Sequence, residues 1–229
     1  RVIHPTAVLE GDVELGDGVV IGPYCVLQGP LTIGDETELT AHVVVGTRGD
    51  EIWQRRYDAT GKRVEIGRRC TLREHVTVHK PCYGDVTRIG DDVYLMPGAY
   101  VAHDTQLEDG AVLAQNTAIG GVSRVLERGC LAMGAVLHQQ AVLGQYAIVG
   151  AAAAAVKSVR PFSRYVPGQP VTVNAYAIER YGFGALRDEI ERYVLEGVAP
   201  STPRLAEMVA RYEALRDAGG RGEYARSPA

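Results

Sequence analysis

The sequence predicts an all-β solenoid, a parallel β-helix of six-residue repeats, followed by an α-helical region at the carboxyl end. Between Ile89 and Val149 an aliphatic residue returns at every sixth position without exception. This period fits neither an amphipathic helix nor a simple strand alternation, and hexapeptide repeats are typical of parallel β-helices. Three repeats would complete one triangular coil, with the aliphatic side chains stacked inside the prism.

The hexapeptide pattern covers just over half of the chain and is interrupted twice. It runs through residues 3–45, resumes over 66–78 and is continuous over 89–156. The interruptions are polar and charged, so we expect residues 47–63 and 80–88 to form loops that leave the prism. Loops that depart from a regular scaffold are commonly functional.

A glycine follows the aliphatic residue in many of the repeats. We interpret these glycines as tight corners that need backbone angles which other residues avoid. The positions are Gly16, Gly22, Gly34, Gly67, Gly90, Gly120 and Gly144.

A proline-rich segment ends the repeat and divides the chain into a β-helix domain at residues 1–157 and a helical region at 158–229. The exposed end of a solenoid needs a cap of this kind. The last helical pattern has Thr202 as N-cap and Pro203 at the first helical position. We expect residues 221–229 to form a loose tail. The predicted helices cover residues 174–181, 185–195 and 202–217.

The composition argues against several classes of protein. The net charge of −4 and the pI of about 5.9 argue against a general nucleic-acid binder. No apolar run reaches the roughly 18 residues that a membrane span requires. The cysteines lack metal-ligand spacing and suit small buried positions in a protein of the reducing cytoplasm. They are Cys25, Cys70, Cys82 and Cys130.

His103 followed by Asp104 is the strongest candidate for chemistry. A histidine can take a proton near neutral pH, and a carboxylate can orient the ring and stabilise its charge. Adjacent residues on a strand point to opposite sides, so a contact between these two side chains requires a corner. The alternative is a solvated turn without catalytic function.

Two further polar pairs could line a groove together with the loops. His138 and Gln139 occupy one repeat, whereas His79 and Lys80 lie where the second loop leaves the prism. Taken separately, such residues are more often structural or exposed. The stretch 48–80 is locally basic, with nine basic residues against five acidic ones. It is either an ordinary solvated face or a docking patch for an acidic partner.

Several segments are similar to the UDP-N-acetylglucosamine acyltransferases of lipid A biosynthesis, and together they span roughly residues 3–183. The hexads alone are shared by many acyltransferases, whereas the joint order and spacing of these segments are specific. The segments read IHPTA at 3–7, IGPYC at 21–25, HVVV at 42–45, RVEIG at 63–67, REHVTVH at 73–79, VAHD at 101–104 and RYGF at 180–183.

The resemblance implies a left-handed parallel β-helix that assembles as a homotrimer, with active sites in clefts between neighbouring prisms. It implies a cytoplasmic enzyme that uses no metal and no cofactor. The implied reaction moves a 3-hydroxyacyl chain from acyl carrier protein to the 3-hydroxyl of the glucosamine ring of UDP-N-acetylglucosamine. That reaction is the first step of lipid A biosynthesis.

By position, the resemblance makes His103 the general base and Asp104 the residue that orients it. A backbone N–H near Met133 and Gly134 would stabilise the oxyanion. Ala151 falls where a small residue sets the depth of the acyl groove. Substrate contacts are expected from Gln54, Arg56, His79, Tyr100, His138, Gln139, Asn174 and Arg180.

Departures from the pattern of that family leave the acceptor and the donor open. The first alternative is an acyltransferase for a different sugar nucleotide, or one that uses acetyl-CoA. The second is a non-catalytic hexapeptide scaffold. A metal-dependent hydrolase would need a histidine cluster, for which His75, His79 and His103 are the candidates. The departing positions are Gln54, Tyr100, Val122, Tyr176 and Tyr181.

Overall fold

The computed structural model describes residues 1–50, 58 and 60–225, and it consists of a three-faced parallel β-helix with a helical region at one end. Within the β-helix, up to Ser163–Tyr165, consecutive strands lie on different faces. Each strand pairs in parallel with the equivalent strand one coil further on, as Tyr94 pairs with Val112. The β-helix predicted from the six-residue period is confirmed.

We number the faces in the order in which the chain visits them. The first face carries Val2–Ile3, Val20–Ile21, Glu38–Leu39, Thr71–Leu72, Tyr94–Leu95, Val112–Leu113, Cys130–Leu131, Ile148–Val149, Ser163–Tyr165 and the antiparallel Thr172–Val173. The second carries Val8–Glu10, Val26–Gln28, Val44–Thr47, Thr77–His79, Tyr100–Val101, Ala118–Ile119, Val136–Leu137 and Ala154–Ala155. The third carries Val13–Leu15, Leu31–Ile33, Arg63–Ile66, Val86–Ile89, Gln106–Leu107, Arg124–Val125 and Val142–Leu143.

The core is the column of aliphatic side chains inside the prism. Leu95, Val101 and Leu107 come from the three faces of one coil, and each is at most 2% exposed. Strand pairing places the next coil about 4.8 Å away. Each aliphatic side chain is therefore buried against its equivalents in the coils above and below.

The chain turns between faces at the third residue after the aliphatic one. After Val101 this residue is Asp104, with a φ of 59°, and after Ile119 it is Val122, with a φ of 62°. We call the turn between the first and second faces the first corner. The second corner joins the second and third faces, and the third corner returns the chain to the first face.

The glycines that follow the aliphatic residue permit close packing rather than unusual backbone angles, which corrects the interpretation from the sequence. None of these repeat glycines has a positive φ. A Cβ atom at Gly22 would lie under 3.0 Å from the backbone of Thr40 in the next coil, and one at Gly34 would meet the backbone of Gly67 as closely. The missing side chain lets adjacent coils approach to strand spacing.

Both interruptions of the repeat leave the prism at the second corner. The first follows the strand Val44–Thr47 and the second follows Thr77–His79. Of the loop predicted at 80–88, residues 80–85 lie between the strands Thr77–His79 and Val86–Ile89, and the last three residues belong to the second of these strands. The loop predicted at 47–63 lies partly outside the described residues.

The helical region contains the three predicted helical patterns, although the second is divided. The β-helix itself continues to the strand Ser163–Tyr165, beyond the boundary predicted at residue 157. The elements are α1 (Ala175–Arg180), a 3₁₀ turn (Gly184–Leu186), α2 (Arg187–Glu191), a π-helical turn (Arg192–Glu196) and α3 (Pro203–Gly219).

Helix α3 folds back along the outer surface of the third face. Tyr212 of this helix is fully buried and packs with Leu126 and Val142. Arg211 forms an ion pair with Glu108 of the β-helix. Among the described helices, none combines the length and the apolar character that crossing a membrane would require.

The segment after α3 is docked, which corrects the expectation of a loose tail for residues 221–225. Arg160 has a side chain that is only 1% exposed, and it forms an ion pair with Glu223 of this segment. The ring of Tyr224 stacks on that of Tyr165, with 4.0 Å between centroids. A buried guanidinium needs a charged partner, and the tail supplies one.

The variant Gly22→Ala tests the role of the repeat glycines. The added methyl group would overlap the Thr40 backbone, so we expect the free energy of unfolding to fall by about 1–3 kcal/mol, as at other overpacked sites. The matched control is Gly184→Ala, because a Cβ atom at Gly184 has no neighbour within 4 Å. Urea denaturation measures both variants, and equal stabilities would contradict the close-packing role.

Candidate active site

His103 and Asp104 lie together at the second corner, directly after the strand Tyr100–Val101. The left-handed backbone of Asp104 turns the chain there, so two consecutive side chains come to the same side. Nδ1 of His103 and Oδ2 of Asp104 are 2.7 Å apart. The corner that this contact requires is therefore present.

The backbone of the second loop holds the carboxylate of Asp104. The N–H groups of Cys82, Tyr83 and Gly84 donate to its two oxygens over 2.6–3.1 Å. Burial raises the pKa of Asp104, but the hydrogen bonds from His103 and from these N–H groups outweigh burial and lower the pKa to about 2. The carboxylate is therefore ionised throughout the pH range in which enzymes ordinarily work.

The ionised carboxylate fixes the tautomer of His103. Because Asp104 accepts a hydrogen bond from Nδ1–H, Nε2 of the ring is left as a proton acceptor. A Cβ atom at Gly121 would lie under 3.0 Å from three atoms of this ring, so only glycine leaves room for it. Gly121 was not among the residues predicted from the sequence, although the pair Gly120–Gly121 was a possible signal.

A small cavity of about 70 Å³ opens beside the imidazole ring. The ring of Tyr83 meets the ring of His103 edge-on, with 5.5 Å between centroids. The N–H of Gly121 has no acceptor in the described part of the chain, so it can donate to an oxyanion. The cavity is lined by Tyr83, His103, Gly121, Val122, Gln139 and Gln140.

Lys62 and Gly49 connect the first loop to this site. Nζ of Lys62 donates to the carbonyl oxygen of Cys82 at 2.8 Å and to that of Gly84 at 3.2 Å. A Cβ atom at Gly49 would lie under 3.0 Å from both Cys82 Sγ and His103 Cβ. The first loop thus holds the second loop around the carboxylate. No pattern in the sequence distinguishes this lysine from others in a charged loop.

His79 and Tyr100 form a second polar cluster, on the amino-terminal side of His103 along the prism. Nδ1 of His79 lies 3.4 Å from the hydroxyl of Tyr100, which donates to Asp50 at 3.4 Å. Burial lowers the pKa of His79, although Asp50 opposes this shift. Burial, with a contribution from Asp50, raises the pKa of Tyr100 to about 12. Both groups are therefore neutral hydrogen-bonding partners near pH 7.

His138 and Gln139 lie on the same corner as His103, two coils further along the prism. His138 is half-buried, and Nδ1 of its ring is 3.3 Å from the carbonyl oxygen of Gln139. Gln139 is exposed and lines the cavity. The structure thus brings this predicted pair to the same groove as the predicted base.

Met133, Gly134 and Ala151 lie at the first corner, so within one chain they do not meet His103. The N–H of Gly134 already donates to the carbonyl oxygen of Gln115 at 2.8 Å. These predicted oxyanion and groove residues could reach an active site only in a neighbouring chain. Within one chain, the N–H beside the imidazole ring is that of residue 121.

The remaining predicted contacts lie in the helical region and the first loop. Asn174 caps α1, and its Nδ2 donates to the carbonyl oxygen of Tyr146 at 2.8 Å. Arg180, at the end of the same helix, is exposed. Gln54 and Arg56 fall outside the described residues. The roles of all four residues stay predictions.

Ion pairs engage most of the described cations in the basic stretch 48–80. Arg68 pairs with Asp91 and Arg69 pairs with Asp92, each at 2.7 Å. This favours an ordinary charged surface over a docking patch for an acidic partner. Arg63, Arg73 and Lys80 likewise have partners.

Cys82, His103 and Asp104 place ligand-type atoms within 4.8 Å of one another. A thiolate, an imidazole and a carboxylate are a set that can hold a transition metal. The carboxylate, however, already accepts hydrogen bonds from three backbone N–H groups and the imidazole, so it has a function without a metal. His75, which the sequence offered for a histidine cluster, lies at the first corner.

The fold and the site define a class of protein, a β-helix of hexapeptide repeats with a histidine–aspartate pair at a corner covered by two loops. Residues 12–47 and 87–121 match the family described as bacterial transferase hexapeptide (six repeats). The matched stretches make up well under half of the chain.

Solved structures of UDP-N-acetylglucosamine acyltransferases are similar to the chain along its whole length. The Bacteroides fragilis enzyme aligns with a TM-score of 0.80 at 19% identity, over 97% of this chain and 100% of its own. The Acinetobacter baumannii enzyme aligns with a TM-score of 0.73 at 22% identity, over 98% of this chain and 100% of its own. The Francisella novicida enzyme aligns with a TM-score of 0.74 at 22% identity, over 99% of this chain and 94% of its own. At these identities the likeness establishes the fold, a left-handed parallel β-helix with a carboxyl-terminal helical region, and confirms the resemblance at that level.

The low pKa of Asp104 makes its contribution to stability depend on pH. The folded-state pKa of about 2 lies below the ordinary value of about 3.9, so the stabilisation is complete above about pH 4 and is lost towards pH 2. The stability difference between the parent and Asp104→Asn should therefore shrink as the pH falls through this window. Urea denaturation at a series of pH values measures it.

The matched control for this experiment is Asp17→Asn, since the Asp17 side chain is 98% exposed. That variant should show only a small difference from the parent across the same pH range. A difference for Asp104→Asn that stays constant from pH 5 to pH 2 would contradict the assignment of a low pKa.

Proposed function

We propose that the protein transfers a 3-hydroxyacyl chain from acyl carrier protein to the glucosamine 3-hydroxyl of UDP-N-acetylglucosamine, the first step of lipid A biosynthesis. The observation that carries the proposal is the His103–Asp104 pair, held at the corner where two loops converge. The fold, shared along the whole chain with enzymes named for acyl transfer to UDP-N-acetylglucosamine, supports this substrate class.

In the proposed mechanism His103 is the general base. Its Nε2 takes the proton of the sugar hydroxyl while that oxygen forms a bond to the thioester carbonyl carbon. Asp104, already ionised, stabilises the imidazolium that results. The tetrahedral intermediate then expels the carrier thiolate, which receives the proton from His103. The products are the acylated sugar nucleotide and the free carrier thiol.

We assign the oxyanion donor to the N–H of Gly121. This group lies on the corner next to the ring of His103 and has no acceptor elsewhere in the described chain. A donor fixed by the backbone costs no reorganisation when charge develops on the carbonyl oxygen. The earlier expectation of Met133 and Gly134 would require the first corner of a neighbouring chain.

The acceptor would lie along the second corner. We assign contacts with the sugar nucleotide to His138 and Gln139 above the base and to His79 and Tyr100 below it. The neutral state of His79 and Tyr100 suits hydrogen bonding to sugar hydroxyls. Asn174 and Arg180 are proposed contacts near the nucleotide and the carrier arm. Gln54 and Arg56 are proposed contacts from the first loop.

The outward side chains support a proposed homotrimer in which the second face packs on a neighbouring chain. Inward and outward residues alternate along a strand, so the residue before each buried aliphatic one points outward. On the second face these residues are mostly apolar: Val8, Val26, Val44, Thr77, Tyr100, Ala118, Val136 and Ala154. On the third face they are mostly polar: Glu14, Thr32, Glu65, Arg88, Gln106 and Arg124, with Val142 the exception, which packs with Tyr212 of α3.

Such a trimer would combine residues from two chains in one cleft. Ala151 lies at the first corner, and we assign it to the acyl groove of the neighbouring chain's site. The proposed reaction needs no metal and no cofactor. It would place the protein in the cytoplasm, which agrees with four free cysteines.

A second candidate is an acyltransferase for another sugar nucleotide, or one that takes acetyl-CoA. Val122 favours it, because an apolar side chain, 38% exposed, lines the cavity beside the proposed base. Tyr100 favours it as well, since its bulk and its hydrogen bond to Asp50 reshape the lower end of the groove. Both candidates share the proposed base.

The proposal predicts acyl transfer to UDP-N-acetylglucosamine from 3-hydroxyacyl carrier proteins, measured across a series of chain lengths. His103→Ala should lower the rate about 10²–10⁴-fold, the usual contribution of a general base. The matched control His4→Ala removes an exposed histidine at the other end of the prism and should keep the parent rate. Transfer only from acetyl-CoA, or only to another sugar nucleotide, would favour the second candidate. No transfer from any donor would contradict both.

Val136→Glu tests the proposed trimer. Its side chain is 39% exposed on the second face, so a charge there should be buried without a partner on assembly and should dissociate the trimer. Light scattering after size-exclusion chromatography gives the mass. Thr32→Glu, an exposed position on the third face, is the matched control and should remain trimeric. A parent protein with the mass of a monomer would contradict the proposal.

A further inference from the structure

The docked tail brings a cation to the second corner, above the cavity at His103. Nε of Arg221 donates to the carbonyl oxygen of Gln139 at 2.9 Å, and Gln139 lines that cavity. Within the described chain, the two terminal nitrogens of Arg221 have no acceptor and the side chain has no carboxylate partner. This half-buried fork of N–H donors is the geometry that binds phosphate oxygens in pairs.

Contacts made by the residues that follow Arg221 hold this part of the tail in position. The carbonyl oxygen of Gly222 accepts the N–H of Ser158 at 3.0 Å. The hydroxyl of Tyr224 accepts the N–H of Val156 at 2.7 Å. The guanidinium is therefore anchored to the last coils of the prism before any ligand arrives, which reduces the entropy lost on binding.

The charges along the second corner also favour the binding of an anion. Lys157 lies one coil beyond Gln139 on the same corner, is exposed, and has no ion pair with any residue that the structure describes. The corner segments 120–123, 138–141 and 156–158 contain no acidic residue, in a chain whose net charge is −4. Two cations that form no ion pair with any described carboxylate make this end of the corner locally positive.

We propose that Arg221, together with Lys157, binds a phosphate group of the substrate at the upper end of the second corner. The inference rests on the proposed function, in which the sugar nucleotide carries a diphosphate and the carrier arm carries a phosphodiester. Two coil spacings put Gln139 about 10 Å from His103. A sugar ring and its diphosphate can bridge this span, so we assign the site to the diphosphate.

Isothermal titration calorimetry with uridine diphosphate tests the site without turnover. Arg221→Gln should weaken binding about tenfold or more, because a charge-assisted hydrogen-bond pair is lost. Arg221→Lys should recover part of the affinity, since it keeps the charge but not the fork. Lys157→Gln should weaken binding less. Arg192→Gln, at a 61% exposed position on the helical region, is the matched control and should bind like the parent.

The variant Tyr224→Phe distinguishes the effect of the Arg221 charge on binding from the effect of the docked tail. It removes the hydroxyl that holds the tail to Val156 but keeps the guanidinium of Arg221. Unchanged binding in Arg221→Gln, or an equal loss in Tyr224→Phe, would overturn the inference. If Arg221→Gln raises the Michaelis constant only for the acyl carrier protein, the phosphate site binds the carrier arm and not the sugar nucleotide.

The same measurements separate the inference from the proposed function. A parent protein that transfers acyl groups, with an Arg221→Gln variant equal to it in binding and in both Michaelis constants, would overturn the inference alone. A parent that transfers nothing, yet binds uridine diphosphate through Arg221, would overturn the proposed reaction and leave the phosphate site standing.

Discussion

The spacing between coils is the constraint on which the rest of the structure depends. Strand pairing sets this distance at about 4.8 Å, and every side chain at a corner must fit within it. The aliphatic column fills the interior, and the glycines after it remove the atoms that would keep the coils apart. At most corners a left-handed residue then turns the chain onto the next face.

The candidate site uses this constraint. At the second corner the left-handed residue is an aspartate, and the turn that it makes brings its carboxylate beside the preceding histidine. The next coil carries Gly121 against the ring, so the imidazole fits only because that coil has no side chain there. The geometry of the pair therefore follows from the same stacking that stabilises the prism.

Three separate parts of the chain converge on the second corner. The second loop encloses the carboxylate with backbone N–H groups, and Lys62 of the first loop binds the carbonyl oxygens of that loop. The carboxyl-terminal tail reaches the same corner from the other end through Arg221. This convergence accounts for the second loop and for the described residues of the first, whereas local ion pairs engage most of the described cations of the basic stretch.

The sequence by itself determined the β-helix, the two interruptions, the helical region and the His103–Asp104 pair, because a period of six and adjacent residues are local properties of a chain. Only the tertiary structure decided that the second-loop backbone holds Asp104, that Gly121 faces the ring and that residues 221–225 are docked. It also decided which corner carries Ala151 and Met133. These contacts join residues far apart in sequence and follow no period, so they exist only once the coils have stacked.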